Sequence, residues 1–268
     1  AWSMRSTDKR TSLISKITTN EGIVGWGEGG SAPSQSVIHD IFDPLLIGQN
    51  PLNINRVWHK LYHALTNNNS TGGFGGDAIS NIDIALWDIA GKSAGKSISE
   101  LLGGSVREKV AVYATGLYYR DDEFPTKLID EAVSYLDAGY RGMKTKVGGL
   151  SIDDDVKRVK AIRDAIGLEP YLMIDANQAY NAATAIDLAN RLADQDIYWF
   201  EEPVPAKDVD AYLEVKRGQP ITLAGGECLR SRFEMREIIQ RRGLDILQPD
   251  VTYMGGITEL RNVASMAN

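Results

Sequence analysis

Residues 142–177 read GMKTKVGGLSIDDDVKRVKAIRDAIGLEPYLMIDAN, and the fold assignment rests on the pattern in this stretch. It begins with one short apolar run, GMKTKV, and ends with another, YLMIDAN, and both predict β-strands. The segment between them predicts an amphipathic helix with Ser151 as its N-cap. The apolar stripe of that helix consists of Ile152, Val156, Val159, Ile162 and Ile166. The stretch is therefore one strand–helix–strand unit, the building block of a parallel sheet.

Four further strand candidates flank this unit. They are KVAVYAT from residue 109, YWFEEP from residue 198, ITLAGGE from residue 221 and DILQPD from residue 245. Six βα units in succession predict an α/β fold with a parallel sheet, either closed as a barrel or open and doubly wound. Ahead of them, TSLISKITTNEGIVGWGE from residue 11 predicts a hairpin that turns at Asn20 and Gly22. We expect an N-terminal α+β domain over residues 1–108 and a βα domain over residues 109–268.

Two motifs in the N-terminal part carry weaker signals. His59 and His63 are spaced i, i+4 on a predicted helix, but no carboxylate accompanies them as in the HExxH motif. We interpret both histidines as surface or packing residues. The run TGGFGGD, residues 71–77, lacks the context of a phosphate-binding loop, and we expect a flexible connection or a loop that borders a pocket there.

Composition limits the classes of partner. The net charge of this 268-residue chain is -7, and its densest basic cluster is the pair Arg241 and Arg242, which argues against nucleic acid. The single cysteine, Cys228, excludes an internal disulfide and suits a reducing compartment. No apolar run reaches membrane-spanning length, and the first residues show no signal-peptide pattern. We expect a cytoplasmic protein without a membrane partner, and a homo-oligomer.

Acidic residues follow four successive strand candidates. Asp175 and Glu201 are 26 residues apart, as are Glu201 and Glu227, and Asp250 comes 23 residues later. This spacing is close to the length of one βα unit in a barrel, so each acid lies at the same level on a neighbouring strand. In a parallel barrel that level is the C-terminal face, where active sites lie. We interpret the acids as one site.

Carboxylates that converge on one point raise one another's pKa unless a cation neutralises them. Oxygen ligands favour Mg²⁺, with Mn²⁺ as a substitute, and the absence of Cys and His among them argues against zinc. Asn177, two residues after Asp175, is expected on the same strand face as a donor to a substrate oxygen. The sequence therefore predicts a magnesium site on carboxylates.

Lys144 and Lys146 lie one strand before Asp175 and leave the same face of their strand. One reading is a solvated sheet edge, where lysines discourage edge pairing. The other is catalytic, because two unit charges roughly 7 Å apart repel by about 2.4 kcal/mol at an effective dielectric near 20, which lowers a lysine pKa. One ammonium group then holds a carboxylate while the other lysine takes a proton. With the metal as a Lewis acid, this predicts abstraction of the proton alpha to a carboxylate through an enediolate.

Seven stretches of the chain resemble the mandelate racemase and muconate lactonizing enzymes of the enolase superfamily. They are GIVGWGE, AISNIDIALWDIAGKSAGKSISELLGG, KTK, MIDANQAY, FEEP, GGE and ILQPD. The last five carry the chemistry, and in this order they are highly specific. The resemblance implies a (β/α)8-type, modified enolase barrel with an N-terminal α+β capping domain. It also implies an Mg²⁺-dependent lyase or isomerase acting on a hydroxy acid or an acid sugar.

The resemblance also implies roles for individual residues. Lys146 corresponds to the base of the family, and Lys144 to the lysine that contacts the substrate carboxylate. The implied metal ligands are Asp175, Glu201 and Glu227. Asn177 resembles a substrate contact, and Asp250 resembles the aspartate that pairs with a catalytic histidine in mandelate racemase-like members.

The end of the chain carries a further expectation. Asn268 comes before any seventh strand, so the C-terminal part of the expected barrel is absent from this chain. The three histidines, His39, His59 and His63, lie far upstream of Asp250. We therefore expect the natural protein to continue, with a histidine about one βα unit after Asp250.

Two other functions stay open on the residues alone. Lys146 could be the Schiff-base nucleophile of a barrel aldolase, which borohydride would trap in the presence of substrate. The chain could also be a non-catalytic carboxylate-binding protein, which a panel of acid sugars would distinguish by the absence of turnover. The set of acids favours the metal-dependent enzyme, acting by dehydration, cycloisomerisation or racemisation.

Overall fold

The computed structural model describes residues 11–67, 69–120 and 124–268. The chain divides into two compact units. The sheet unit holds Lys109–Gly225 and Gln240–Gln248. The helical unit holds the described residues up to Glu108, together with Gly226–Ile239 and Pro249–Asn268.

The strands form two sheets among the described residues. In the helical unit, β1 (Ile14–Thr18) and β2 (Val24–Glu28) pair antiparallel around a turn in which Gly22 has a φ of +81°. In the sheet unit each strand pairs parallel with the next in sequence: β3 (Ala114–Thr115), β4 (Gly142–Lys146), β5 (Tyr171–Asp175), β6 (Ile197–Glu201), β7 (Leu223–Gly225) and β8 (Ile246–Leu247). The hairpin and all six predicted parallel strands are present, which confirms the α/β fold.

Helices occupy most of the remaining described chain. Those before β3 are α1 (Ala32–Ser36), a π-helical turn (Val37–Phe42), α2 (Asp43–Leu46), α3 (Ile54–Thr66), α4 (Gly73–Ala94) and α5 (Ile98–Leu101). Those after β3 are α6 (Thr126–Asp137), α7 (Ile152–Ile166), α8 (Ala182–Arg191), α9 (Val209–Gly218), α10 (Arg232–Gln240) and α11 (Gly256–Ala267). None of the described helices is both long enough and apolar enough to span a membrane.

In the sheet unit, the central strands are covered on both faces. All five residues of β4 are buried, as are the last four of β5, which is typical of a parallel sheet with helices packed against it. The predicted helix between them is confirmed: the Ser151 hydroxyl accepts a hydrogen bond from the Asp154 amide at 3.2 Å and caps α7. Its predicted apolar residues from Val156 to Ile166 are buried, and so are the charged side chains of Asp155 and Arg163.

In the helical unit, a hydrophobic core lies along α3 and α4. Phe42, Trp58, Leu61 and Ile79 are among its buried members. His59 and His63 are exposed on α3, which confirms their assignment to the surface.

The prediction of a connecting loop at residues 71–77 is wrong, because α4 begins at Gly73. Gly75 and Gly76 are buried in its first turns. A Cβ on Gly75 would lie 1.9 Å from the carbonyl oxygen of Ser70, and one on Gly76 would lie 3.1 Å from the Arg230 Cβ. These glycines therefore allow neighbouring chain to approach a helix, which composition alone does not distinguish from a flexible loop.

The start of α11 is attached to α3 and α4 within the helical unit. The indole of Trp58 donates to the Gly255 carbonyl at 2.8 Å, and that of Trp87 donates to the Thr258 hydroxyl at 2.9 Å. Asp83 accepts from both the amide and the hydroxyl of Thr258. These hydrogen bonds fix the turn that follows Asp250.

Candidate active site

The two lysines of β4 are buried. Lys144 is 6% exposed and Lys146 is 8% exposed, and β4 lies between β3 and β5. The reading of these lysines as a solvated sheet edge is therefore wrong. A buried ammonium group requires hydrogen-bonded counter-charges, and the neighbouring strands supply them.

The strand register brings the lysines to two carboxylates. Lys146 lies opposite Asp175 on β5, and Asp175 lies opposite Glu201 on β6. The Nζ atom of Lys144 is 2.5 Å from Glu201 Oε1 and 3.4 Å from Asp175 Oδ2. Lys146 donates from Nζ to the same Asp175 Oδ2. Asp175 and Glu201 are each 1% exposed, so four charged groups share one buried space.

The carboxylates act on the pKa of Lys144 in the direction opposite to repulsion from a neighbouring ammonium group. Burial lowers the pKa of Lys144, but Glu201 and Asp175 outweigh burial and hold that pKa above its ordinary value. The Lys144 side chain is consequently a permanent cation in this arrangement.

Two residues that sequence reasoning missed hold Glu201 from its other side. The indole of Trp199 donates to Glu201 Oε2 at 3.0 Å, and the amide of Gln248 donates to the same oxygen at 2.8 Å. Trp199 precedes Glu201 by two residues and shares its strand face, so this contact follows from strand geometry. Gln248 lies within the quoted ILQPD motif, immediately after β8. These donors fix the orientation of the Glu201 carboxylate.

The spacing predicts that Asn177 shares the strand face of Asp175. It does not, because β5 ends at Asp175. Its φ is +43°, a left-handed conformation that asparagine tolerates better than most residues. Its backbone amide donates to Asp175 Oδ1 at 2.8 Å. Asn177 therefore supports the Asp175 carboxylate through its main chain, and its proposed role as a substrate contact remains a prediction.

Glu227 and Asp250 belong to the helical unit and follow their strands after short gaps. Glu227 is half-buried, and its carbonyl oxygen accepts from Arg230 Nη1 at 3.1 Å. Asp250 Oδ1 accepts from the amide of Thr252 at 2.8 Å and from its hydroxyl at 2.6 Å. Asp250 therefore also stabilises the turn before α11, a role that the sequence did not reveal.

Arg230 is a further charged residue of the helical unit that the sequence did not single out. Its Nε lies 2.9 Å from Asp77 Oδ1, and its guanidinium lies 4.7 Å from the ring centroid of Tyr253. Burial raises the pKa of Asp77 to about 6, although Arg230 opposes the shift. The pair links the first turns of α4 to the segment that carries Glu227.

Comparison with known proteins defines the class to which this chain belongs. Residues 1–103 match the N-terminal domain of the mandelate racemase / muconate lactonizing enzyme family, and residues 127–268 match the enolase C-terminal domain-like family. The chain belongs to the mandelate racemase and muconate lactonizing enzyme family of the enolase superfamily. The predicted domain boundary between residues 108 and 109 falls between the two matches and stays a prediction.

Individual relatives narrow the class further. The chain is 41% identical over 265 residues to D-galactarolactone cycloisomerase of Agrobacterium fabrum, covering 97% of this chain and 69% of that protein. It is 38% identical to arabinonate dehydratase of Saccharolobus solfataricus, covering 95% of this chain and 69% of that protein. These relatives identify the chain as an enzyme of the lyase or isomerase kind.

Solved structures agree with this class. A 3,6-anhydro-D-galactonate cycloisomerase from Zobellia galactanivorans has a TM-score of 0.90 and 39% identity, covering 96% of this chain and 72% of its own. A racemase from Streptomyces coelicolor with bound magnesium has a TM-score of 0.89 and 32% identity, with the same coverage. The modified enolase fold that the sequence predicts is confirmed.

Proposed function

We propose that this enzyme removes the proton alpha to the carboxylate of an acid sugar, with Lys146 as the base. The observation that carries the proposal is the buried set of Lys144, Lys146, Asp175 and Glu201, held in register on three adjacent strands. In the proposed mechanism, Lys146 provides the base and Lys144 provides a fixed positive charge. Asp175 and Glu201, at the ends of the neighbouring strands, provide part of a metal site. The reaction then ends in dehydration, cycloisomerisation or racemisation.

The ligand atoms that this set offers to a metal ion fit Mg²⁺. Asp175 and Glu201 are buried carboxylates side by side, and they accept hydrogen bonds from ammonium groups, which shows that this position favours positive charge. None of the three histidines belongs to the sheet unit, so the ligands there are oxygens. Asp175 and Glu201 would hold the ion, with Glu227 as the proposed third ligand. When bound, Mg²⁺ would stabilise the negative charge of the enediolate that forms as the proton leaves.

Lys146 is the proposed base because its Nζ lies at the strand end beside Asp175 and points into the same space as Lys144. A lysine acts as a base only in its neutral form, so the proposed reaction requires neutral Lys146 when the substrate is bound. The α-proton moves to Nζ of Lys146, and the new ammonium group lies beside Asp175. Its carboxylate then stabilises the protonated base.

Lys144 is the proposed partner of the substrate carboxylate. Its raised pKa keeps it charged, and its Nζ lies 5.7 Å from the ring centroid of Tyr113, within the range of a cation–π interaction. A fixed cation orients an anionic substrate and attracts the charge that accumulates on it during proton removal. Asn177 is proposed to contact the substrate as well.

Asp250 is the proposed second proton-transfer group. Its Oδ1 is occupied by Thr252, so a proton or an imidazole would interact through Oδ2. A carboxylate at this position would act best by orienting a histidine. The names of the relatives, a galactarolactone cycloisomerase and an arabinonate dehydratase, support an acid sugar as the substrate.

A panel of acid sugars incubated with MgCl2 in D₂O tests the proposal. We expect turnover of at least one member, loss of turnover with EDTA, and incorporation of deuterium at the α-carbon. Lys146→Met should lower the exchange rate at least a thousandfold, because the proposed base is removed. The matched variant Lys160→Met, at a half-exposed surface position on α7, should exchange at the wild-type rate.

Three results would contradict the proposal. One is wild-type exchange in Lys146→Met, which would assign the base to another residue. A second is turnover that survives EDTA together with a borohydride-trapped adduct on Lys146, which would establish a Schiff-base aldolase. The third is binding of acid sugars without any turnover, which would establish a binding protein.

A further inference from the structure

We propose that Asp155 is a positioning residue that holds the loop after Lys146 and the loop after Asp175 in one fixed arrangement. The inference rests on the proposed function, in which Lys146 is the base and Asp175 binds the metal. Asp155 lies in the first turn of α7 and is 0% exposed. It has no role in the proposed proton transfer, so its burial needs another explanation.

The first set of contacts reaches the loop after Lys146. Asp155 Oδ2 accepts from the amide of Gly148 at 2.7 Å, and Oδ1 accepts from the hydroxyl of Tyr119 at 2.6 Å. The same Tyr119 hydroxyl accepts from the amide of Gly149 at 3.0 Å. The two amides that come second and third after Lys146 are therefore held by Asp155, one directly and one through Tyr119.

The two glycines of this loop are tightly packed. Gly148 has a φ of +91°, which favours glycine. A Cβ on Gly149 would lie 2.5 Å from the Tyr119 ring. Arg158 is 6% exposed, and its guanidinium lies 4.5 Å from the centroid of that ring. The guanidinium also donates a hydrogen bond to the Leu117 carbonyl. The loop is thus fixed by shape as well as by hydrogen bonds.

The second set of contacts reaches the loop after Asp175. The hydroxyl of Tyr180 donates to Asp155 Oδ2 at 3.2 Å, and the amide of Tyr180 donates to the Pro203 carbonyl at 3.2 Å. The amide of Val147 donates to the Asp175 carbonyl at 2.9 Å. One carboxylate therefore joins the loop of the proposed base to the loop of the proposed metal ligand.

A carboxylate suits this place because every partner is a donor. Asp155 accepts three hydrogen bonds, from one amide and two tyrosine hydroxyls, and a carboxylate has acceptor sites for all of them. An asparagine has nearly the same shape, but its NH₂ group would face at least one of these donors. Because a displacement of about 1 Å in a reacting group costs on the order of a hundredfold in rate, the amide should impair catalysis without removing any reacting atom.

Asp155→Asn in the Mg²⁺-loaded enzyme tests the proposal. We expect kcat and the α-proton exchange rate to fall by about 10- to 100-fold while KM changes by less than about threefold. Amide hydrogen exchange of residues 147–150, followed by mass spectrometry, should accelerate at least about tenfold. Tyr119→Phe should produce the same pattern at smaller amplitude, because it removes the hydroxyl between Asp155 and Gly149.

Tyr135→Phe is the matched control. Its hydroxyl also donates to a carboxylate, Glu131, at 2.7 Å, but that pair contacts neither Gly148 nor Gly149. This variant should keep wild-type kcat and wild-type amide exchange at residues 147–150.

The outcomes separate this inference from the proposed function. Wild-type kcat and wild-type amide exchange in Asp155→Asn and Tyr119→Phe would overturn the positioning role. If no acid sugar is turned over by the wild-type enzyme, the proposed function fails, and amide exchange at residues 147–150 still decides whether Asp155 fixes the loop. A fall in unfolding midpoint with unchanged kcat of the folded protein would overturn the inference, because it would show a purely structural role.

Discussion

The pH dependence of unfolding tests how the segment after Asp250 is attached to α4, and Asp83→Asn is the variant that isolates this attachment. Asp83 is 2% exposed. Its Oδ2 accepts from the Thr258 amide at 3.0 Å and its Oδ1 from the Thr258 hydroxyl at 2.6 Å. Burial raises the pKa of Asp83 from 3.8 to about 7, and the hydrogen bonds from Thr258 offset burial in part.

The direction in which stability changes with pH follows from the number of protons that Asp83 binds in the folded and unfolded states. Because the pKa of Asp83 is higher in the folded protein than in the unfolded chain, the folded protein binds more protons between about pH 4 and about pH 7. The contribution of this carboxyl to stability is fully present below about pH 4 and is lost as the pH rises through about 7. The difference between about 7 and 3.8 corresponds to about 4 kcal/mol. Of this, about 3 kcal/mol is lost between about pH 5 and about pH 8.

Asparagine resembles the protonated carboxyl and does not ionise. Its oxygen accepts from the Thr258 amide, and its NH₂ group donates to the Thr258 hydroxyl. The variant should therefore match the wild-type protein at about pH 5 and exceed its free energy of unfolding by about 3 kcal/mol at about pH 8. Urea unfolding followed by tryptophan fluorescence measures both values.

Asp40→Asn is the control, because Asp40 is exposed on the π-helical turn. It should follow the wild-type protein at both pH values. Titration of Asp77, whose pKa is also raised, occurs in all three proteins and cancels in the comparison. A difference between Asp83→Asn and wild type that stays constant from about pH 5 to about pH 8 would refute the reasoning, because Asp83 would then titrate as an ordinary carboxyl.

Two further predictions concern the sheet unit. Glu201→Gln should weaken Mg²⁺ binding at least about a hundredfold by calorimetry, since the charge of a proposed ligand is lost. The control Glu214→Gln, on the exposed side of α9, should bind Mg²⁺ as the wild type does, and equal affinities of the two variants would remove Glu201 from the proposed metal site. Arg163→Met should lower the free energy of unfolding by about 3 kcal/mol or more, because four carbonyl oxygens lose a charged donor; a loss no larger than that of the exposed variant Lys157→Met would contradict this.

The parallel sheet could be predicted because its signals are local. Each strand is a short apolar run. The helix α7, which follows β4, has a capping serine and apolar residues that repeat with the helical period of 3.6 residues. The sequence also predicted that Asp175 and Glu201 lie at the same level on neighbouring strands. The structure agrees, because each is the last residue of its strand and the two lie opposite each other. The family motifs confirmed what the periodicity indicated.

Other features could not be predicted because they depend on contacts distant in sequence. Arg163 reads as a helix residue beside an apolar stripe, yet its guanidinium donates to carbonyls of Gly167, Pro170, Gln195 and Asp196. The glycines of TGGFGGD read as a loop because composition does not show that another segment packs against them. The carboxylates that raise the pKa of Lys144 could not be predicted from the spacing of the two lysines, because Glu201 and Asp175 come from other strands.

The charges of the site connect the proposed metal with the proposed acidic substrate. With both lysines protonated and both carboxylates ionised, the buried set of Lys144, Lys146, Asp175 and Glu201 has no net charge, which is the state that a buried site tolerates best. A divalent cation would add two positive charges, and the proposed ligand Glu227 would cancel one of them. The carboxylate of an acid sugar would cancel the other, so a neutral sugar would leave an uncompensated charge in a buried space. The proposed specificity for acids would therefore follow from the charge of the proposed metal site itself, before any contact with the rest of the substrate is considered.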